Sequence, residues 1–175
     1  MQSFKKASLK VNLQTVYMSC HDIYVNSQIV TDDPESLLSA LAEFRFALRG
    51  FLHFSECAAQ EAGLHPQQHQ LLLQVAAAPR DTAVTIAYAA ERLGLKHNSA
   101  VELVDRSERE GLLERTADTV DKRRTILRVT RKGRNLLGRL TVSHARELNE
   151  LGPRLAQVLK RISVHRHAGS TAEAQ

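Results

Sequence analysis

Residues 85–134 read TIAYAAERLGLKHNSAVELVDRSEREGLLERTADTVDKRRTILRVTRKGR, and their patterning decides the fold. Ile86 to Leu93 has helical composition and ends at Gly94, a residue type that closes helices because it enters the left-handed region without strain. After the short connection Leu95-Lys96-His97-Asn98, with Asn98 or Ser99 as N-cap, a second helix is expected to run to about Glu110, where Gly111 stops it. Helix, short glycine-containing turn, helix is the spacing of a helix-turn-helix unit. Past Gly111 the apolar period falls from helical to extended. Leu112 to Ala117 reads as one strand, and Thr125, Leu127 and Val129 alternate against Ile126 and Arg128 in a second. Between them lies the mostly basic loop Asp118-Thr119-Val120-Asp121-Lys122-Arg123-Arg124, so a hairpin with a charged tip is expected, and Thr130 then caps a further helix.

Upstream, Thr82 to Thr85 is a short β-prone piece, and residues 67–78 read as a helix opened by His65-Pro66 and closed by Pro79. Before it, Asp33 as N-cap, Pro34 in the first turn and Glu35 beside the positive helix end open a long helix that Gly63 terminates. Leu37, Leu41, Phe44, Leu48 and Phe51 line one face, with Leu38 and Leu52 beside them. About 28 residues at ~1.5 Å each span ~42 Å, more than one small domain covers, so part of this helix must pack on another copy or on the N-terminal extension. Downstream, Leu136, Leu137, Leu140, Ala145 and Leu148 carry an apolar stripe up to Gly152-Pro153, where the helix is expected to break. Leu155, Val158, Leu159 and Ile162 then form a short last helix, and the Ala-, Gly- and Ser-containing tail 166–175 is expected to fray. Residues 1–32 fit a helical stripe through Leu9, Leu13, Val16, Tyr17, Cys20 and Tyr24, or a strand alternation through Val11, Leu13, Tyr17, Ile23, Val25 and Ile29; the helix is preferred.

Composition narrows the function classes. The 175 residues are 43% apolar and 25% charged, ordinary values for a globular protein, with a net charge of +5. That charge is unevenly placed: residues 1–93 carry net −2 and residues 94–175 net +7. The asymmetry points a polyanion partner, duplex DNA, at the second half. Aromatic content of 5% with no Trp counts against stacking single-stranded bases. Two cysteines, Cys20 and Cys57, do not make a disulfide framework, which suits a reducing cytoplasm. The start, with Lys5 and Lys6 before an apolar stretch ending at Cys20, is too polar at Asn12, Gln14 and Thr15 for a secretory leader. The longest run without Asp, Glu, Lys or Arg, residues 62–79, holds four Gln, two His and two Pro, so no membrane span is expected.

Thr85-Ile86 through Arg92-Leu93-Gly94-Leu95, Asn98-Ser99-Ala100-Val101-Glu102-Leu103-Val104-Asp105-Arg106, Glu110-Gly111-Leu112-Leu113-Glu114-Arg115 and Asp121-Lys122-Arg123 ahead of Val129-Thr130-Arg131-Lys132-Gly133-Arg134 together resemble the MarR family of bacterial winged-helix transcriptional regulators. Leu64-His65-Pro66-Gln67-Gln68-His69 is similar to the family's second-helix opening, so the resemblance covers roughly residues 34–163. It implies a mainly α fold with a small β-wing: a winged helix-turn-helix lobe over 65–130, a helical dimerisation region over 34–64 and 131–165, an N-terminal extension over 1–33 and a tail over 166–175. It also implies a cytoplasmic homodimer that binds a pseudo-palindromic operator, a repressor relieved by a small, often aromatic or anionic effector. Four positions depart from the family pattern. Ser107 and Ala89 stand where core leucines are usual, predicting looser packing or filling by Tyr88 or Leu112; Arg124 stands for a frequent Asp, and Glu102 for a commonly basic residue.

An α-helix fits the ~12 Å major groove and presents its N-terminal residues to base edges first. Those are Lys96, His97, Asn98 and Ser99, then Glu102 and Arg106, while Ala100, Leu103, Val104 and Ser107 recur at core spacing. Arg106 suits guanine; its alternative is an ion pair with Glu102 or Glu110. Residues 118–134 hold seven basic and two acidic side chains. The resemblance implies that Arg123, flanked by Lys122 and Arg124, enters the minor groove with Asp121 shaping the loop; the alternative is an edge hairpin protected by charge. It also places Arg49, His53 and Cys57 near an effector cleft. A thiol switch at Cys20 or Cys57 and a winged-helix protein-interaction module without DNA binding are the rival functions. No metal or cofactor is expected, because His65/His69 and His165/His167 supply pairs where closed sites need four ligands. No G-x-S-x-G, P-loop, dinucleotide glycine fingerprint or H-E-x-x-H occurs, so no enzyme is expected.

Overall fold

A computed structural model describes residues 34–118 and 121–167, with side chains as far as residue 162. The expectations for residues 1–33, Cys20 among them, for Thr119 and Val120, for the His165 and His167 side chains and for tail residues 168–175 lie outside the described residues. The order of elements is α1 (Pro34–Glu61), α2 (Pro66–Ala76), α3 (Ile86–Leu93), α4 (His97–Arg109), β1 (Leu113–Ala117), β2 (Thr125–Val129) and α5 (Arg131–His167). It is a winged helix-turn-helix in which α3 and α4 form the two-helix unit and the β1–β2 hairpin forms the wing.

Each boundary has a local cause. Gly63 at φ 78° lets the chain turn out of α1. His65 opens α2 through a capping box: its Nδ1 accepts from Gln67 N at 3.2 Å, and Gln68 Oε1 accepts from His65 N at 3.0 Å. The helix ends at Ala76 rather than Ala78. Thr85 caps α3, its Oγ1 accepting from Tyr88 N at 3.2 Å. The β-prone piece before it makes no strand, though Leu127 N donates to Val84 O at 2.8 Å and ties it to the wing. α4 starts earlier than expected, at His97 with Lys96 as N-cap and no side-chain cap bond, so Asn98 and Ser99 lie within the first turn. The strands pair antiparallel with Leu113 opposite Val129 and Ala117 opposite Thr125.

The expected break at Gly152-Pro153 does not occur: α5 runs unbroken through Pro153. A proline removes one helical hydrogen bond and bends a helix, but ends it only where the next turns gain nothing by staying helical. Here Leu151, Leu155, Val158 and Ile162 continue one half-buried stripe across the proline, and Pro153 itself is exposed.

One core joins the lobe. Leu71, Leu72 and Val75 of α2, Ala89 of α3, Leu103 and Val104 of α4, Leu113, Leu127 and Val129 of the wing, and Leu137 and Leu140 of α5 are buried together. Each fully buried leucine contributes about 1.5–3 kcal/mol. Ser107 and Ala89 are both wholly buried, so the expected looseness is absent. Ser107 Oγ donates to Leu103 O at 2.8 Å, which satisfies the hydroxyl inside the helix, and Tyr88 and Leu112 join the same cluster. In contrast, α1 and α5 leave Leu38, Leu41, Phe46, Leu48, Leu52, Val142, Leu148 and Leu159 exposed.

Candidate nucleic-acid interface and the adjoining cavity

The recognition-type helix α4 is polarised by its own sequence. Ala100, Leu103, Val104 and Ser107 face the core, and this leaves Lys96, His97, Asn98, Ser99 and Glu102 exposed on one end and side of the helix. Its first-turn N–H groups have no side-chain cap. Arg106 is half-buried, and its Nε is shut away from solvent with no hydrogen-bond partner among the described residues. Among those residues it pairs with neither Glu102 nor Glu110. The Glu110 carboxylate instead accepts from Gln68 Nε2 at 2.9 Å, which ties α4 to α2.

At the wing tip Lys122, Arg123 and Arg124 are exposed. Asp121 organises them: its Oδ1 accepts from Arg123 N at 3.0 Å, its Oδ2 lies 3.4 Å from Arg124 Nε, and its carbonyl accepts from Arg124 N at 2.9 Å. The turn closes with Asp118 N donating to Arg124 O at 3.0 Å. Arg124 therefore leans back on Asp121, while the Arg123 side chain projects from a turn whose backbone is held.

Sequence reasoning missed the residue that joins wing to helix. Arg115 on β1 bonds Asp105 Oδ1 at 2.5 Å and also bonds Glu108, while Glu108 accepts from the Arg115 backbone N at 3.2 Å. The signal was present as two carboxylates three apart on α4 followed by an arginine just past Gly111, but it requires knowing that the hairpin folds back on that face. A second unit missed is the histidine cluster between α1, α2 and α5. His144 Nε2 lies 2.9 Å from Ser55 Oγ, its ring meets Phe51 and Phe54 edge-on, and the His69 ring lies 4.9 Å away. His69 is 3% exposed with Nδ1 unpartnered among the described residues. Burial, and then the neighbouring His144, hold its pKa below the usual 6.5. His65 and His69 do not act as a pair, since one caps α2 and the other joins this cluster.

The structure separates the residues expected around an effector. Arg49 and His53 line an open groove of about 510 Å³ on α1 with Phe46, Gly50, Leu52 and Glu56. Cys57 lines neither hollow; its Sγ is 3.7 Å from His53 Nε2. A more enclosed cavity of about 210 Å³ lies between α1, the start of α2 and the helix-turn-helix, lined by Leu52, Ser55, Glu56, Pro66, Gln67, Gln70, Leu93, Leu95 and Leu103. Leu52 and Glu56 line both hollows, whereas Ser55, about a third of a turn or more round the helix from Arg49 and His53, lines the cavity and not the groove. No group of three or more metal-type side chains occurs among the described residues, and no described helix is long and apolar enough to cross a membrane.

A buried two-helix unit, an uncapped polar helix start and an adjoining basic hairpin define a winged helix-turn-helix, the architecture of the transcription regulators to which the chain is similar. Residues 62–124, from just past α1 to the wing tip, match the model of the MarR family. No curated protein sequence matches the chain. The fold is similar to the Staphylococcus aureus MepR–DNA complex at 22% identity and TM-score 0.51, over 69% of this chain and 96% of that one. It is also similar to the Rhodococcus jostii RHA1 regulator CouR bound to p-coumaroyl-CoA, at 23% identity and TM-score 0.52, over 75% and 92% of the two chains. The Streptomyces coelicolor transcriptional regulator PcaV matches at 25% identity and TM-score 0.51, over 72% and 92%.

Proposed function

We propose that this protein is a sequence-specific double-stranded DNA-binding regulator that acts as a homodimer, represses transcription and is relieved by a small organic effector. The observation that carries the reading is the pairing, on one lobe, of an α4 start whose side chains and N–H groups are open with a basic wing tip stiffened by Asp121. In this reading Lys96, His97, Asn98, Ser99 and Glu102 meet base edges and phosphates in the major groove. Helix N–H groups without caps are natural phosphate ligands. Arg123 enters the adjoining minor groove, with Lys122 and Arg124 on the flanking backbone. Arg106, half inside the lobe, takes a supporting place at the groove rather than leading the base contacts.

Dimerisation through α1 and α5 accounts for the large apolar side chains left exposed on those two helices, where all but Leu73 of those exposed among the described residues lie, and two lobes would read half-sites of a pseudo-palindrome about one turn apart. The division into a 65–130 DNA lobe and a helical region of 34–64 with 131–165 follows from this arrangement. The effector would occupy the enclosed cavity, where it touches the turn before α4 and shifts the balance between lobe positions that fit and misfit the operator. The relatives bound to DNA and to p-coumaroyl-CoA support both halves of this reading.

The test is binding of the full-length protein to DNA from upstream of its own gene. A dimer with 6–10 phosphate contacts loses about 10³–10⁵ in affinity between 50 and 200 mM salt. Arg123→Ala is expected to weaken binding and flatten that salt dependence. Binding absent in the wild type, or indifferent to both salt and Arg123→Ala, would identify the lobe as a protein-interaction module instead.

A further inference from the structure

The enclosed cavity has a one-sided chemistry. Leu52, Pro66, Leu93, Leu95 and Leu103 make its wall apolar, Gln67 and Gln70 add amides, and the only ionisable lining side chain among the described residues is the carboxylate of Glu56. Ser55, 4% exposed, contributes a hydroxyl already engaged by His144 Nε2 at 2.9 Å. Glu56 makes no ion pair among the described residues, so its charge is open to a ligand. At about 210 Å³ the space falls below the ~300–1,000 Å³ of pockets for drug-sized ligands and suits one small ring system with a short arm.

We propose that this cavity selects a small aromatic organic cation, a ring system carrying a protonated amine that pairs with Glu56, over an aromatic carboxylate. The proposal rests on the effector reading above and adds the ligand's chemical class. An anion entering this space would give up its hydration, find no cation in the wall and face a like charge, whereas an ammonium exchanges water for a charge-assisted bond to Glu56. The protein's net charge of +5 acts the other way, since it draws anions to the surface. A measured preference for the cation therefore reports the cavity and not the general field. The arginine that an anionic effector would want, Arg49, lines the outer groove, which shares Leu52 and Glu56 with the cavity, and is absent from the cavity wall itself. Because Leu93, Leu95 and Leu103 form the opposite wall, the ring of such a ligand rests on the hinge between α3 and α4.

Three ligands of one shape make the test: tryptamine as cation, tryptophol as neutral analogue and indole-3-acetate as anion, titrated calorimetrically into the full-length protein at pH 7.5. Tryptamine is expected to bind about tenfold or more tightly than tryptophol, the scale of one charge-assisted hydrogen bond, and indole-3-acetate weakest. Glu56→Gln is expected to bring tryptamine and tryptophol to parity without loss of folding, since Glu56 is exposed, and Gln70→Phe to block both by filling the space. Indole-3-acetate binding as tightly as tryptamine, a cation preference that survives Glu56→Gln, tryptamine binding unaffected by Gln70→Phe, or no tryptamine binding each overturns the proposal. Upstream-DNA binding by the same unliganded preparation is measured alongside. Its absence would count against the regulator reading, whereas intact DNA binding with any of the four contrary results would count against the ligand class alone.

Discussion

The Arg115 guanidinium on β1 lies 2.5 Å from Asp105 Oδ1 on α4, and this contact, with the second carboxylate of Glu108, fixes the wing relative to the recognition-type helix. Both partners are partly exposed, the side chains of Arg115 and Asp105 at 25% and 48%, so the pair's contribution is geometric more than energetic. Arg115→Ala is expected to cost about 1 kcal/mol in urea unfolding yet weaken operator binding disproportionately, because in the proposed function α4 and the wing meet adjacent grooves in one fixed spacing. Asp105→Ala is expected to do the same, and the double variant little more than either single one. Additive losses in binding would show that the two side chains act independently.

Gly133, in the first turn of α5, is required by a close approach. A Cβ there would fall well inside contact distance of the Leu112 carbonyl oxygen and 2.7 Å from Val129 Cγ1. Thr130 holds this turn to the wing, its Oγ1 donating to Gly111 O at 2.7 Å and accepting from Gly133 N at 3.2 Å, so the backbone has little room to yield. Gly133→Ala is expected to destabilise by about 1–3 kcal/mol, read as a lower urea midpoint. Gly138→Ala in the same helix meets nothing within 4 Å and is expected to stabilise by up to about 1 kcal/mol.

Stability is expected to fall on acidification because of His69. Its pKa is lowered in the native state by burial and then by His144, so the unfolded chain binds the proton more readily than the native one. The contribution is full above the unfolded value near 6.5 and is lost as the pH drops through that value toward the lower native one. Thermal unfolding between pH 7.5 and 5 is expected to show this loss, and His69→Phe, which keeps a ring beside His144, to flatten the dependence. An unchanged slope in the variant would assign the acid sensitivity to other groups.

What could be read before folding was whatever is written locally. Gly94 and Gly111, the Thr130 cap and the period change at Leu112 each act within a few residues, and the helix-turn-helix and wing follow from them. The error at Pro153 has the opposite origin, because a half-buried stripe assembled by tertiary packing overrode a local breaker. The Arg115 clamp and the cluster of His69, His144 and Ser55 were illegible because their members lie on separate elements; Ser55 and His144 come together only once α5 lies along α1. The enclosed cavity draws on a face of α1 that the sequence did not single out, because which face turns inward depends on where Ala59 and Ser55 are buried.

Glu102 offers the sharpest test of base reading. It is exposed on α4 among Lys96, His97, Asn98 and Ser99, and its charge opposes approach to phosphate. A carboxylate in that place is tolerable if it accepts from a cytosine N4 amino group, a contact worth about 1–3 kcal/mol of discrimination. Glu102→Gln removes the repulsion and most of that discrimination together. Affinity for scrambled DNA is therefore expected to rise while the ratio of operator to scrambled affinity falls about tenfold, measured by fluorescence anisotropy at a fixed salt concentration. A ratio that holds while both affinities rise would mean that Glu102 only modulates the field around the groove, leaving base selection to Asn98, Ser99 and the Arg123 wing.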